Sequence, residues 1–383
     1  MSRSSLQIVG SFGLHWRTVN IAQQVWLHIQ QYGPGSRADL ARHLRRSKPA
    51  TSAAIDTLLQ QDLLLELGQG RSTLGRPPKL VNLNHRSRLV VGAEVDVHEL
   101  RLGLGDLRGD LLEQRSVPWR GGEASGELGP ALKRAIDALC GPQGQVPRAL
   151  ALGLPGVVRD GVVSHAPNLP ELEDPATLTR LRSELSFPVL LYNDVNLAAV
   201  SEARPGELLA FVSIGSGFGV GITQGRELLD GHQGRAGELG YLPGAGGENL
   251  EQLLSETGLA RLLGLQATQL LPLLAGRSPA ILERAAMRPF LSALLSALQV
   301  LTLTLDPARI VIGGRIGSKL LAQLPSLQRQ LQESLPFAPQ LCISQFPDSA
   351  VVQGAAQMAA ARASADLLEE LSDRARPHQS AHA

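Results

Sequence analysis

Two groups of residues in this 383-residue chain could do chemistry. The first is Asn193-Asp194, directly after the apolar run Pro188-Val-Leu-Leu-Tyr192. A carboxylate beside an amide at the end of a strand can accept a hydrogen bond from a hydroxyl or take its proton. The same aspartate can instead cap the helix that follows, Val195–Glu202, and that is the commoner use. Nearby, Gly215-Ser-Gly-Phe-Gly-Val-Gly221 lets backbone approach a phosphate or a sugar closely. A tight β-turn with no ligand explains the same spacing equally well. The second group is cationic. Residues 1–84 hold ten Lys/Arg against four Asp/Glu, a net +6, whereas the whole chain is +1. A basic head on an acidic body points to a surface that faces phosphates.

The elements around the cations agree with that chemistry. Ser36 to Leu59 reads as two short helices joined by a tight basic turn. Leu40, Ala41 and Leu44 share one face of the first helix, and Ile55, Leu58 and Leu59 one face of the second. Ser36 and Ser47 are N-cap residues, and Pro49 falls in the first turn, where a missing N–H costs little. Lys48, Ala50, Thr51 and Ser52 then remain at the exposed start of the second helix, small or cationic enough to approach base edges. Leu63–Leu67 and Lys79–Leu83 read as strands around a Gly/Arg loop, a wing from which Arg71 and Arg76 reach a backbone or a minor groove. The bland alternative is a plain hairpin packing under the helices. A helix over about residues 17–32, with Val19, Ala22, Val25, Trp26 and Ile29 on one stripe, completes the small core.

Hydrophobic residues make up 43 % of the chain, enough for sizeable cores. No apolar run is expected to span a bilayer, and the N-terminus lacks a signal-peptide pattern. Cys140 and Cys342 offer neither metal spacing nor a disulfide framework, so a reducing cytoplasm is expected, with no membrane partner. From residue 88 to 365, β-type runs alternate with helical patterns, as in a mixed α/β protein. A second lobe is expected from about residue 205, with a long helix over about 280–304 and a final helix over about 350–362. Residues 1–16 and 366–383 are expected to be loose ends, and 17–84 to form the DNA-binding domain.

The order of several short segments resembles the ROK family (repressors, open reading frames, kinases), and within it the sugar-responsive repressors with an N-terminal winged helix-turn-helix. These segments are Ser36-Arg-Ala-Asp-Leu-Ala, Ser47-Lys-Pro-Ala-Thr-Ser, Gly75-Arg-Pro-Pro, Leu152-Gly-Leu-Pro-Gly156, Ala166-Pro-Asn-Leu-Pro170, Tyr192-Asn-Asp-Val-Asn-Leu-Ala198, the Gly215–Gly221 run, Ala236-Gly-Glu-Leu-Gly240 and Ile312-Gly-Gly314. Each is weak alone, and the order is specific. The resemblance implies a winged helix-turn-helix followed by an α/β two-lobed, actin-like sugar-kinase fold with a sugar in its cleft. It also implies a homodimer or homotetramer on a double-stranded DNA operator. Carried over by position, the ligand contacts are Asn168, Asn193, Asp194, Glu238, Tyr241 and Glu251. Arg37, Arg45, Arg46 and Arg76 hold DNA phosphates, while Ser47, Lys48, Thr51 and Ser52 lie at the bases.

Two departures from the family carry expectations of their own. Its kinases hold ATP phosphates with Asp-x-Gly-Gly-Thr, and Glu94-Val-Asp-Val-His98 stands in that place with bulky side chains. Phosphoryl transfer is therefore expected to be lost, with no catalytic residues. Family members also place His and a cysteine cluster after Gly-Glu-x-Gly. Here Tyr241 and Leu242-Pro-Gly-Ala-Gly-Gly-Glu-Asn249 follow, so no zinc or other cofactor is expected. Packing around Tyr241 and Leu250 is expected to hold that loop. The leading expectation is a repressor released from its operator by a sugar. The alternatives are a sugar kinase with a regulatory DNA-binding head, or a regulator whose body is a scaffold for a protein partner.

Overall fold

The computed structural model describes residues 19–69, 79–97, 99–119, 128–141, 145–275 and 285–373. It contains two compact units. One is made of the described residues within 1–89, 106–108 and 360–383, the other of those within 90–105 and 109–359.

In the first unit, α1 (Ile21–Tyr32) begins at a reciprocal cap. Asn20 accepts from the Gln23 N–H at 2.9 Å, and the Gln23 side chain accepts from the Asn20 N–H at 2.7 Å. After β1 (Gly35–Ser36), α2 (Arg37–Leu44) starts where the Ser36 hydroxyl accepts the Asp39 N–H. Arg45, at φ 54°, turns the chain, and Ser47 caps α3 (Lys48–Gln60) with Pro49 in its first turn. Trp26, Ile29, Leu40, Ile55 and Leu58 are buried in a shared core. Strands β2 (Leu64–Gln69) and β3 (Lys79–Leu83) pair antiparallel, and β1 adds to β3. Three helices and this small sheet are compatible with the expected winged helix-turn-helix. Arg71, Arg76 and residues 1–16 lie outside the described residues.

The last helix corrects the expected tail. It does not stop near 362 but runs Ala350–Asp373. Leu367, Leu368 and Leu371 recur at helical spacing and are buried. The carbonyls of Leu368 and Leu371 each accept a 2.7 Å bond, from the side-chain amides of Gln23 and Asn20.

The second unit is built from two sheets of the same plan. In the first, β4 (Val90–Val95), β5 (Glu99–Gly105) and β6 (Leu111–Pro118) form an antiparallel meander. Helix α4 (Leu128–Cys140) leads to β7 (Leu150–Leu154), parallel to β4. A short hairpin, β8 (Val157–Arg159) with β9 (Val162–Ser164), and α5 (Pro175–Ser183) precede β10 (Val189–Asn193), parallel to β7. The order is β10-β7-β4-β5-β6. Helix α6 (Asp194–Glu202) follows.

The second sheet repeats this plan. Strands β11 (Leu208–Ile214), β12 (Phe218–Gln224) and β13 (Glu227–Leu228) form the meander. Helices α7 (Leu250–Leu254), α8 (Glu256–Leu262), α9 (Ala267–Ala275) and α10 (Arg288–Leu305) cover it. Then β14 (Arg309–Gly313), α11 (Gly314–Gly317), α12 (Leu324–Ser334), β15 (Gln340–Ile343) and α13 (Ala350–Asp373) close the unit, in the order β13-β12-β11-β14-β15. Helix α10 begins later than expected, with Pro289 in its first turn. The segment 285–305 is long and apolar enough by composition to cross a membrane, which corrects the expectation that none would be. Its Phe290, Leu294, Leu298 and Leu301 are buried in the core over the second sheet.

Candidate ligand cleft and nucleic-acid interface

Matching plans put matching turns in one place. The β4–β5 turn carries Asp96, the β11–β12 turn carries Ser216 and Gly217, and both line a cleft of about 320 Å3. The first sheet also delivers Asn193 at the end of β10, and with it Asp194 at the start of α6. Asn193, not Asp194, is the helix cap. Its side-chain oxygen accepts the Asn196 N–H at 2.9 Å, while its amide donates to the Gly156 carbonyl at 2.9 Å and to Asp194 at 3.1 Å. That releases Asp194 from the capping role and leaves it half-buried in the cleft wall, where it accepts from the Val195 N–H at 2.8 Å as well as from the Asn193 amide.

Asn168, Asn193, Asp194, Glu238, Tyr241 and Glu251 all line this one cleft. Glu251 accepts the Phe218 N–H at 2.8 Å, which ties α7 to the glycine-rich hairpin. Burial raises its carboxyl above the ordinary value, and the Glu238 charge adds to that. Glu238 is raised by burial as well, against the pull of His165 and Arg235. Tyr241 is 70 % exposed at the cleft edge, so it does not pack the loop as expected. Leu250 does, at 2 % exposure. A Pro243–Asn249 bridge and a 2.5 Å Arg261–Glu248 ion pair complete the hold on residues 242–249. The loop's own donors do not fit zinc, because its one carboxylate, Glu248, is engaged by Arg261 and it carries no Cys or His.

Sequence reasoning missed two cleft residues, Arg101 and Arg315. Arg101 reaches the buried Glu94 at 2.9 Å and Glu99 at 2.7 Å. Arg315, just past Gly313-Gly314, reaches Asp96 at 3.0 Å and Glu99 at 3.5 Å. These pairs occupy the turn at Glu94–Asp96; His98 lies outside the described residues. Burial raises the Glu94 carboxyl, with Arg101 opposing and Asp96 reinforcing.

Burial and the charges of Glu94 and Asp96 push Asp194 up to about 7 from an ordinary 3.8. A carboxyl raised in the folded state favours folding while protonated. Its contribution is complete below the ordinary value and is lost as pH rises toward 7. Asp194→Asn is therefore expected to raise stability more at pH 8 than at pH 5, by about 1–2 kcal/mol after allowing for solvent reaching the cleft. Thermal melts at the two pH values check this. Equal gains at both would remove ionisation as the cause.

On the first unit, Arg45, Arg46, Ser47 and Lys48 are exposed, and Ser52 partly so. Arg46 also donates to Gln24 at 3.2 Å. Thr51 is corrected. It is 0 % exposed, its hydroxyl finds no partner among the described residues, and it cannot meet a base. Arg37 is drawn inward, pairing with Asp56 at 2.7 Å and donating to the Ser52 carbonyl at 3.2 Å. It clamps α2 to α3. Ala53, one residue past Ser52, is exposed and was not singled out in the sequence.

A xylose repressor of Caldicellulosiruptor bescii is 27 % identical over 216 residues, 54 % of each chain. The sequence thus spans about half the length of the curated relatives it matches. A solved ROK family transcriptional regulator, a homologue of the E. coli Mlc protein, superposes with a TM-score of 0.69 over 92 % of this chain and 98 % of its own, at 22 % identity. That likeness shows the fold. The ROK hexokinase of Thermus thermophilus superposes at 0.57 over 72 % of this chain and 98 % of its own, at 27 % identity. The two-lobed, actin-like sugar-kinase fold is common to them. Residues 90–362, well over half of the sequence, match the ROK family, and the chain belongs to it.

Proposed function

We propose that the protein is a sugar-responsive, DNA-binding transcriptional repressor. The observation that carries this reading is the pairing of two features in one chain. One is a helix pair whose turn exposes Arg45, Arg46 and Ser47 and whose second helix starts on exposed Lys48. The other is a cleft walled by Asn193, Asp194, Glu238 and Glu251. Amides and carboxylates accept from and bridge vicinal hydroxyls in a largely dry pocket. The relatives named xylose repressor support a sugar effector. The protein acts in the cytoplasm as a homodimer or homotetramer, and Arg71 and Arg76, which lie outside the described residues, are further candidates for phosphate contacts. Sugar-driven closure of the lobes biases the spacing of the paired heads, which a dimer needs about one helical turn apart.

The role is non-enzymatic. The Glu94–Arg101 and Asp96–Arg315 pairs fill the turn that would have to cradle nucleotide phosphates. The test is a pull-down of sheared genomic DNA by the full chain, sequenced with and without D-xylose and common hexoses. One enriched inverted repeat, lost with one sugar, is the expected result. Uniform retention, or none, would overturn the regulator reading. ADP release on a hexose, abolished by Asp194→Asn, would overturn the non-enzymatic part.

A further inference from the structure

We propose that the cleft takes an unphosphorylated, uncharged polyol and refuses sugar phosphates and nucleotides. The proposal rests on the sugar-sensor reading and narrows its ligand class. Six carboxylates line the cleft: Glu94, Asp96, Asp194, Glu238, Glu251 and Asp348. The two guanidinium groups that line it, Arg101 and Arg315, do not offset them for a ligand, because both are already spent on carboxylates. Arg101 holds Glu94 and Glu99 at 2.9 and 2.7 Å, and Arg315 holds Asp96 at 3.0 Å. A phosphate entering here would have to break one of these pairs and leave a buried carboxylate uncompensated. It would also bring about −1.5 to −2 charges of its own toward Asp194.

The remaining contacts point the same way. Phosphate cradles present backbone N–H groups. In the glycine-rich hairpin that could serve, the Phe218 N–H is already given to Glu251, and the Gly215 N–H to the Gly217 carbonyl at 2.9 Å. Burial raises both Glu94 and Asp194, Asp96 reinforces each, and Glu94 adds to the rise of Asp194, so the cleft already resists the charge it contains. Hydroxyls meet no such resistance, since carboxylates are their natural acceptors.

The experiment is calorimetry of the full-length protein with D-xylose, D-glucose and N-acetylglucosamine, alongside D-xylose 5-phosphate, glucose 6-phosphate and N-acetylglucosamine 6-phosphate. At least one free sugar is expected to bind, with its phosphate weaker by about 100-fold. Asp348→Lys is expected to narrow that ratio roughly tenfold, as a charge effect should. A phosphate that binds as well as its parent sugar, or better, overturns the inference and leaves the sugar-sensor reading standing. A ratio unmoved by Asp348→Lys overturns the electrostatic cause. Absence of heat with all six compounds removes both the inference and the reading beneath it.

Discussion

Replacing Gly354 by alanine is expected to cost about 3–5 kcal/mol and to disturb the cleft as well as the core. Gly354 lies on α13 against α6, and a Cβ there would fall on the Leu197 carbonyl oxygen, with the Leu197 Cα at 3.2 Å. Those atoms are backbone in the middle of a helix, so no rotamer change relieves the overlap. Either α13 or α6 must move. Helix α6 carries Asp194 at its first residue and packs Ala198 and Ala199 into a core with Leu209 and Phe211. Moving it also drags the cleft wall. Gly92, on β4, meets the same helix α13, at the Val352 carbonyl and the Ala356 nitrogen, so the helix is pinned from two sides. Gly215→Ala is the matched control, since its Cβ would meet only the Arg315 nitrogen at an ordinary 3.7 Å. Denaturant melts of both variants check the contrast. A Gly354→Ala midpoint within error of the parent would mean the two helices do not touch as described.

What the sequence revealed follows the range of the interaction. Caps are local, so Ser36 and Ser47 were legible from residues three positions away. The strand-end position of Asn193-Asp194 was legible from one apolar run, although the capping role went to the wrong member of the pair. Thr51 was misplaced for a reason that was also local. It lies four residues before Ile55 and seven before Leu58, on the stripe that becomes the core, and its polar type masked that phase. The Arg315–Asp96 pair joins residues 219 positions apart, and nothing near either one signals the other. The end of α13 was lost similarly, because the amides that donate to its last carbonyls belong to Asn20 and Gln23, 351 and 345 residues earlier. The zinc loop shows the opposite case. Absent cysteines could be read directly, but the burial of Leu250 and the exposure of Tyr241 needed the fold.

The Arg45→Glu/Lys48→Glu double variant is expected to weaken DNA binding by about 100- to 1,000-fold near 100 mM salt. Both side chains are exposed at the turn into α3, and neither makes a salt bridge among the described residues, so their charge is available to phosphates. The loss should be similar on operator and random DNA, and the salt slope should flatten by about two, one for each phosphate contact removed. Arg37 is also basic but behaves differently. Its guanidinium is held by Asp56 and the Ser52 carbonyl, so Arg37→Ala is expected to loosen α2 from α3 with a smaller direct effect on affinity. Thr51→Val separates burial from readout. It removes a buried hydroxyl that has no partner among the described residues, so stability should hold or rise by about 1 kcal/mol while operator affinity stays within twofold. Fluorescence anisotropy over a salt series, with operator and scrambled duplexes, reads all of these. If Thr51→Val abolished operator binding while the double variant did not, the base-facing surface of α3 would have to be its buried side. That is incompatible with the packing of Ile55 and Leu58, and the helix would have been assigned the wrong face.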